Sequence, residues 1–244
     1  MSVQIVEIIR RSEQGRTRPF LCRGEDGHTY FVKGRGAGLR SLILEWVCGH
    51  LALAFGLPVA EFEVVEVPAV LIDPLLFPEA NELGAGLAFG SRVFPHVQEV
   101  TISHLDLVDP ATQRDLLMFD WWIRNQDRLL TDQGGNPNLL WDQQSASLVV
   151  IDHNLAFDPE FDAATFREMH VFARHWRSVF DDLVARASYK ERMEQAMEGF
   201  DQVCDNLPFE WWSVDDGVPV DFDRQAAKAM LERYTQDIFW RSAE

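Results

Sequence analysis

The sequence predicts an α+β protein in two lobes, an antiparallel sheet within residues 1–94 and a mainly helical region over 95–244. Three observations carry this. Short apolar or alternating runs, each bounded by turn residues, fill the first part of the chain, as half-buried strands require. From residue 163 onward the apolar residues fall instead at helical spacing, through Phe166, Val171, Val179 and Leu183, with a final helix after Asp223. Between the two, Val93-Phe94-Pro95 leaves the last strand through a proline, which cannot continue a ladder, and so marks the boundary.

Taken in order, residues 3–9, 20–23 and 29–33 read as a meander, with Glu25-Asp26-Gly27 as one of its turns. The loop Q-G-R-T-R-P lies between the first two strands. With a strand ending in Lys33 close behind, such a glycine-containing loop can lay backbone N–H groups over phosphates, although it is equally an ordinary hairpin loop. Residues 41–55 form a helix that is apolar on nearly every side and is ended by Gly56 in the C′ position. Glu45 interrupts it, and a buried carboxylate requires a cationic partner. Lys33, a short connection upstream, is the natural one. Residues 61–70 and 87–93 are the remaining strands of this lobe. Asp109-Pro110 then supplies an N-cap and N1 pair for a helix running to about Arg124, with Leu116, Phe119 and Ile123 on one stripe. Residues 139–141 and 148–151 form a hairpin across 142–146, so Asn138 and Asp152 emerge at the same end of adjacent strands.

Composition narrows the function. With 244 residues, 47% of them hydrophobic, the chain can bury a full core. A net charge of -17 repels a phosphate backbone, which excludes nucleic acid as a main partner and suits basic proteins or cationic substrates. No run is long enough to span a bilayer, and residues 1–11 lack the apolar centre of a secretory leader, so a cytoplasmic protein without membrane contact is expected. Cys22, Cys48 and Cys204 are far apart and without C-x-x-C spacing, and read as buried thiols. His170 and His175 lack the spacing of a zinc helix and read as surface or capping residues. The paired tryptophans, Trp121-Trp122 and Trp211-Trp212, read as core or interlobe packing. Arginine supplies nearly all the positive charge, so Lys33, one of only three lysines, stands out where it ends the strand H-T-Y-F-V-K.

The stretch from Asn125 to Phe157 holds the chemistry. Asp127 follows a helix, Asn138 opens a strand and Asp152 closes the apolar run L-V-V-I. A carboxylate, an amide and a second carboxylate at three element ends form the arrangement that kinases use to hold Mg²⁺-ATP and orient a hydroxyl. The motifs G-R-T-R-P (15–19), Y-F-V-K (30–33), E-W-V-C-G-H-L-A (45–52), N-Q-D-R (125–128), N-P-N-L-L-W (136–141) and V-I-D-H (150–153), in this order, resemble the HipA-like kinase family, specifically its compact members. The resemblance implies a bilobal protein-kinase-like fold and an ATP- and Mg-dependent serine/threonine kinase acting on a protein. A small-molecule phosphotransferase, or a pseudokinase that binds nucleotide without turnover, is the alternative. It further implies that Asp127 accepts the proton of the attacking hydroxyl, that Lys33 contacts the α/β-phosphates and pairs with Glu45, and that Asn138 and Asp152 hold Mg²⁺. Gly15, Arg16, Thr17 and Arg18 would cover the phosphates, and the backbone near Phe94 would meet the adenine edge. A regulatory or antitoxin-like partner belongs to the same expectation. Two departures stand out: Leu129 follows Asp127-Arg128 where related families carry a histidine, and the asparagine sits farther from Asp127 than usual, which leaves Asp132 and Asn136 as alternatives to Asn138.

Overall fold

The computed structural model describes residues 2–12, 18–131, 134–215 and 217–241. They form two compact units, and these are not the continuous halves 1–94 and 95–244. Residues 47–59 belong with the second unit and residues 206–222 with the first.

The first unit is built on strands β1 (Val3–Arg11), β2 (Phe20–Gly24) and β3 (Thr29–Lys33), the beginning of helix α1 (Leu39–Phe55), β4 (Phe62–Val67), the single helical turn α2 (Ala80–Leu83), and β5 (Gly86–Arg92). The expected meander is present, but it does not stay open. β1 pairs with β4 in parallel through Val3 and Val65, and this closes a five-stranded barrel in the order β1-β2-β3-β5-β4. Closure demands curvature, and β1 supplies it with irregularities between Ile5 and Glu7 and between Ile8 and Arg10, because each extra residue bends the strand and increases its twist. Gly90 serves the same end: a Cβ there would lie 2.6 Å from Val65 Cγ1 and 3.3 Å from Tyr30 Cδ1. Ile5, Phe20, Cys22, Tyr30, Val32, Val65, Val67 and Ala88 fill the interior, with Leu83 of α2 beside them.

Helix α1 ends as its sequence predicts. Gly56 takes φ +90°, Gly56 N–H donates to Leu53 O, and Leu57 N–H donates to Ala52 O, the paired bonds of a glycine C-cap. Residues 206–222 depart from the expectation that the chain beyond 163 is almost wholly helical. Pro208, Gly217 and Pro219 break the pattern, and Ser213–Asp215 pairs with Val218–Pro219 as a short hairpin. Trp211 is buried in this unit, its indole N–H donating to Leu87 O at 3.0 Å.

The second unit contains β6 (Val97–Glu99), α3 (Ile102–Leu105), α4 (Pro110–Trp122), the strand pair β7 (Leu129–Thr131) and β8 (Gly134–Asn136), the hairpin β9 (Leu139–Asp142) and β10 (Ser147–Val150), then α5 (Ala163–Met169), α6 (Trp176–Phe180), α7 (Leu183–Glu198), α8 (Phe200–Asp205), α9 (Arg224–Leu231) and α10 (Asp237–Arg241). Asp109 caps α4, accepting from the amides of Ala111 and Thr112, with Pro110 in the first turn. Trp121 lies buried among Phe161, Phe166, Trp176, Phe180 and Phe239, and Trp122 packs on Phe55 and Phe119. All three cysteines are buried free thiols. Among the described residues no helix is long and apolar enough to cross a membrane.

Candidate active site

The candidate residues fall into two groups, one in each unit. In the first, Lys33 ends β3, paired with Phe89 of β5, and its side chain enters the interior rather than solvent. Its Nζ donates to Glu45 Oε1 on α1, with the lysine 8% and the glutamate 2% exposed. Two opposite charges this deeply buried compensate each other, and removing either strands the other at a cost of about 3–5 kcal/mol. The segment after Lys33 is held just as closely. A Cβ on Gly34 would lie 2.0 Å from Leu83 O, and one on Gly36 would lie 2.1 Å from Glu82 O, so only glycine lets the chain pass α2 at this distance.

Arg18 sits with φ +41°, its Nε donating to Ser12 O at 3.4 Å and its Nη1 3.9 Å from Glu79. The neighbouring Arg11 binds Glu79 at 2.8 Å and Glu82 at 2.5 Å. The acidic residues around α2 thereby hold both cations at the base of the candidate phosphate loop. Gly15, Arg16 and Thr17 lie outside the described residues, as does Asp132. Phe94 is half-buried in the segment that follows β5.

In the second unit, Asn138 Nδ2 donates to Asp127 Oδ2 at 2.9 Å. The two residues are far apart in sequence, and the strand pair β7-β8 explains how they meet. Leu129 pairs with Asn136 and Thr131 with Gly134, so the two strands run antiparallel and return the chain to Asp127. Gly135 makes this ladder possible, since it has φ +152° and a Cβ there would lie 2.3 Å from Leu129 O. Asn136 is exposed and engaged locally, its Oδ1 accepting from Asn138 N–H at 3.3 Å. Asn138 and Asp152 flank the β9-β10 hairpin, where Val150 pairs with Leu139 and Ile151 N–H donates to Asn138 O. Both residues adopt left-handed backbone, φ +51° and +60°, a region that asparagine and aspartate tolerate better than most side chains.

The residue that organises this group went unread in the sequence. Arg128, fully buried, donates through Nη1 to the carbonyls of Asn138 at 2.7 Å and Ile151 at 2.9 Å, and through Nη2 to that of Asp152 at 3.3 Å. Its Nε meets Asp120 Oδ2 at 2.8 Å. One rigid guanidinium thus ties both ends of the hairpin to α4. Asp120 also accepts from Asn125 Nδ2 at 3.1 Å and from His170 Nε2 at 3.0 Å. Burial pushes the Asp120 carboxyl up, but Arg128 and the His170 hydrogen bond outweigh it and hold the group below its ordinary value.

His170 is therefore a core residue, contrary to its surface or capping assignment, because the partner that explains it lies fifty positions away in sequence. Its Nδ1 accepts from Phe172 N–H at 3.1 Å, so Nε2 carries the proton and the ring is neutral. Burial pushes its pKa down, and Arg128 adds to the shift against the pull of Asp120. A folded value below the unfolded one, about 6.5, means that the neutral ring contributes stability fully present above that pH and lost progressively as pH falls from there through the folded value. His50 and His175 are lowered in the same direction, each mainly by burial. The expected result is a melting temperature that falls as pH drops below about 6.5, with a shallower slope in His170→Gln. A flat profile between neutral and mildly acidic pH would exclude this coupling.

Comparison with known proteins bears on the family and the fold. A family model described as HipA-like kinase matches residues 5–243. No curated protein sequence matches the chain. Among solved structures, the crystal structure of the Helicobacter pylori proinflammatory kinase CtkA is similar with a TM-score of 0.56 at 12% identity, covering 99% of this chain and 96% of that one. At that identity the likeness speaks for the fold, which is a mixed α+β, kinase-like one. The family match extends over nearly all of the chain, and the chain belongs to the HipA-like kinase family.

Proposed function

We propose that the chain is a bilobal, cytoplasmic, ATP- and Mg²⁺-dependent kinase that phosphorylates a serine or threonine hydroxyl of a protein. The observation that carries this reading is the pairing of Asp127 with Asn138 beside Asp152, all three held by one buried network. In this reading Asp127 accepts the proton of the attacking hydroxyl, and Asn138 fixes the carboxylate that does so. Lys33 contacts the α/β-phosphates, with its ammonium aimed by Glu45. Arg18 and the loop before it cover the phosphates, and the backbone at Phe94 meets the adenine edge.

Asn138 and Asp152 would hold the metal. Their amide carbonyl and carboxylate are hard oxygen donors, and Asn138 Oδ1 accepts no hydrogen bond among the described residues. Those residues contain no cluster of three or more His, Cys, Asp or Glu side chains suited to a metal. A site of one carboxylate and one amide, completed by nucleotide phosphates and water, is what Mg²⁺ accepts. When bound, the ion neutralises charge on the phosphates.

The test is the thermal midpoint with ATP, with Mg²⁺ and with both. Ligand at a hundred times its dissociation constant adds about 2.7 kcal/mol, roughly 5–10 °C for a chain of this length. A rise that needs both components and is absent in Asp152→Asn supports the reading. No rise at millimolar nucleotide would defeat it. A nucleotide-binding module without turnover is the second reading, favoured by Leu129 and by the strand pair inserted between Asp127 and Asn138. It predicts the same rise without phosphate transfer.

A further inference from the structure

On a chain of net charge -17, the second unit carries a cavity of about 470 Å³ whose seven lining residues include Arg167, Arg174 and Arg177 against the single acid Glu168. It lies beside α5 and the start of α6. Each arginine is placed differently. Arg174 is fixed, its Nη1 on Asp106 at 2.8 Å and its Nη2 on Gln113 Oε1 at 2.9 Å. Arg167 lies over the Trp176 ring at 5.2 Å, a contact that orders the side chain while leaving its N–H groups available. Arg177 is exposed, and its side chain has no hydrogen bond or ion pair among the described residues. Trp176, itself 7% exposed and stacked on Phe180, has an indole N–H that finds no partner among the described residues.

The cavity is tied to the candidate catalytic loop. Val171 N–H donates to Arg128 O at 2.9 Å, and Leu129 forms a bridge with His170, so the C-terminal end of α5 is pinned to the residues that follow Asp127. Guanidinium groups recognise carboxylates through paired N–H donors, and an open cavity of this size accommodates several side chains of an extended segment. On a chain whose net charge is -17, this arginine-rich lining offers an anionic segment locally favourable charge. We infer that the cavity binds an acidic stretch of the acceptor polypeptide, with Arg167 and Arg177 pairing to its carboxylates. This rests on the reading of the chain as a protein kinase.

The experiment measures binding apart from turnover. Nucleotide-free Asp127→Asn protein is titrated into a fluorescein-labelled peptide in which glutamates flank one serine, and into the same peptide with glutamine for glutamate, at low salt. The expected result is at least about tenfold tighter binding of the glutamate peptide, with that preference lost in Arg167→Gln/Arg177→Gln. Arg177→Gln alone, an exposed change that leaves the aromatic packing intact, should weaken binding several-fold. Arg224→Gln, in the separate Asp201 and Asp205 cluster, should not. Equal binding of the two peptides, binding of neither, or a preference retained in the double variant would overturn the inference. Because no phosphate transfer is involved, such a failure leaves the nucleotide reading to its own thermal test.

Discussion

Asp127→Asn is expected to lower phosphate transfer by about a hundred- to ten-thousandfold, the usual contribution of a positioned general base. This corresponds to roughly 3–5 kcal/mol of transition-state stabilisation. The substitution keeps the volume of the side chain and an oxygen for the Asn138 amide, which now donates to Asp127 Oδ2 at 2.9 Å. The loop should therefore stay folded, and the nucleotide-dependent thermal rise should survive because Asp127 is not assigned to the metal. Single-turnover transfer and thermal midpoint, measured on the same sample, separate the two effects. Transfer within a few-fold of wild type would remove Asp127 from the role of base. Loss of the thermal rise as well would place it among the groups that hold nucleotide.

Arg128→Met is expected to destabilise the protein by about 3–5 kcal/mol, because it leaves the fully buried Asp120 charge without its cation. For a chain of this length that is a fall of roughly 6–20 °C in the thermal midpoint. The carbonyls of Asn138, Ile151 and Asp152 lose their shared donor at the same time. Asp120→Asn/Arg128→Met should recover part of the loss, since the stranded charge is gone while the carbonyls remain unsatisfied. A single variant within about 1 kcal/mol of wild type, by denaturant titration, would show that the network does not hold the hairpin.

The sequence made some of this legible because the signals were local. Glu45 could be read as buried from the apolar residues around it on one helix, and its partner stood a short connection away. The two short apolar runs on either side of the turn at 142–146 set Asn138 and Asp152 at one hairpin end without knowledge of anything distant. The Arg128 network could not be read in that way. Nothing local singles out Asp120, Arg128 reads only as part of the N-Q-D-R motif and His170 as a surface or capping residue, and only the tertiary fold gives each its meaning. Barrel closure was hidden for a similar reason, since the parallel contact of β1 with β4 joins the start of the chain to a strand beyond α1. The β7-β8 pair was hidden by brevity and by glycines, which carry no strand pattern. Residues 206–222 carry no helical spacing of their own, and their Pro208, Gly217 and Pro219 are the local signal that this stretch is not helix.

The left-handed backbone at Asn138 and Asp152 bears on how any variant there is to be interpreted. At both positions the conformation and the proposed ion favour the same small set of side chains. An alanine therefore changes two things at once, removing an oxygen donor and forcing a methyl-bearing residue into a region it resists. Glycine removes the donor but accepts the backbone. A selection for folded protein alone would be expected to retain asparagine, aspartate and glycine at these sites, while a selection for activity would discard the glycine. The contrast between the survivors of the two selections, rather than the loss seen with alanine, measures what the oxygen atoms contribute.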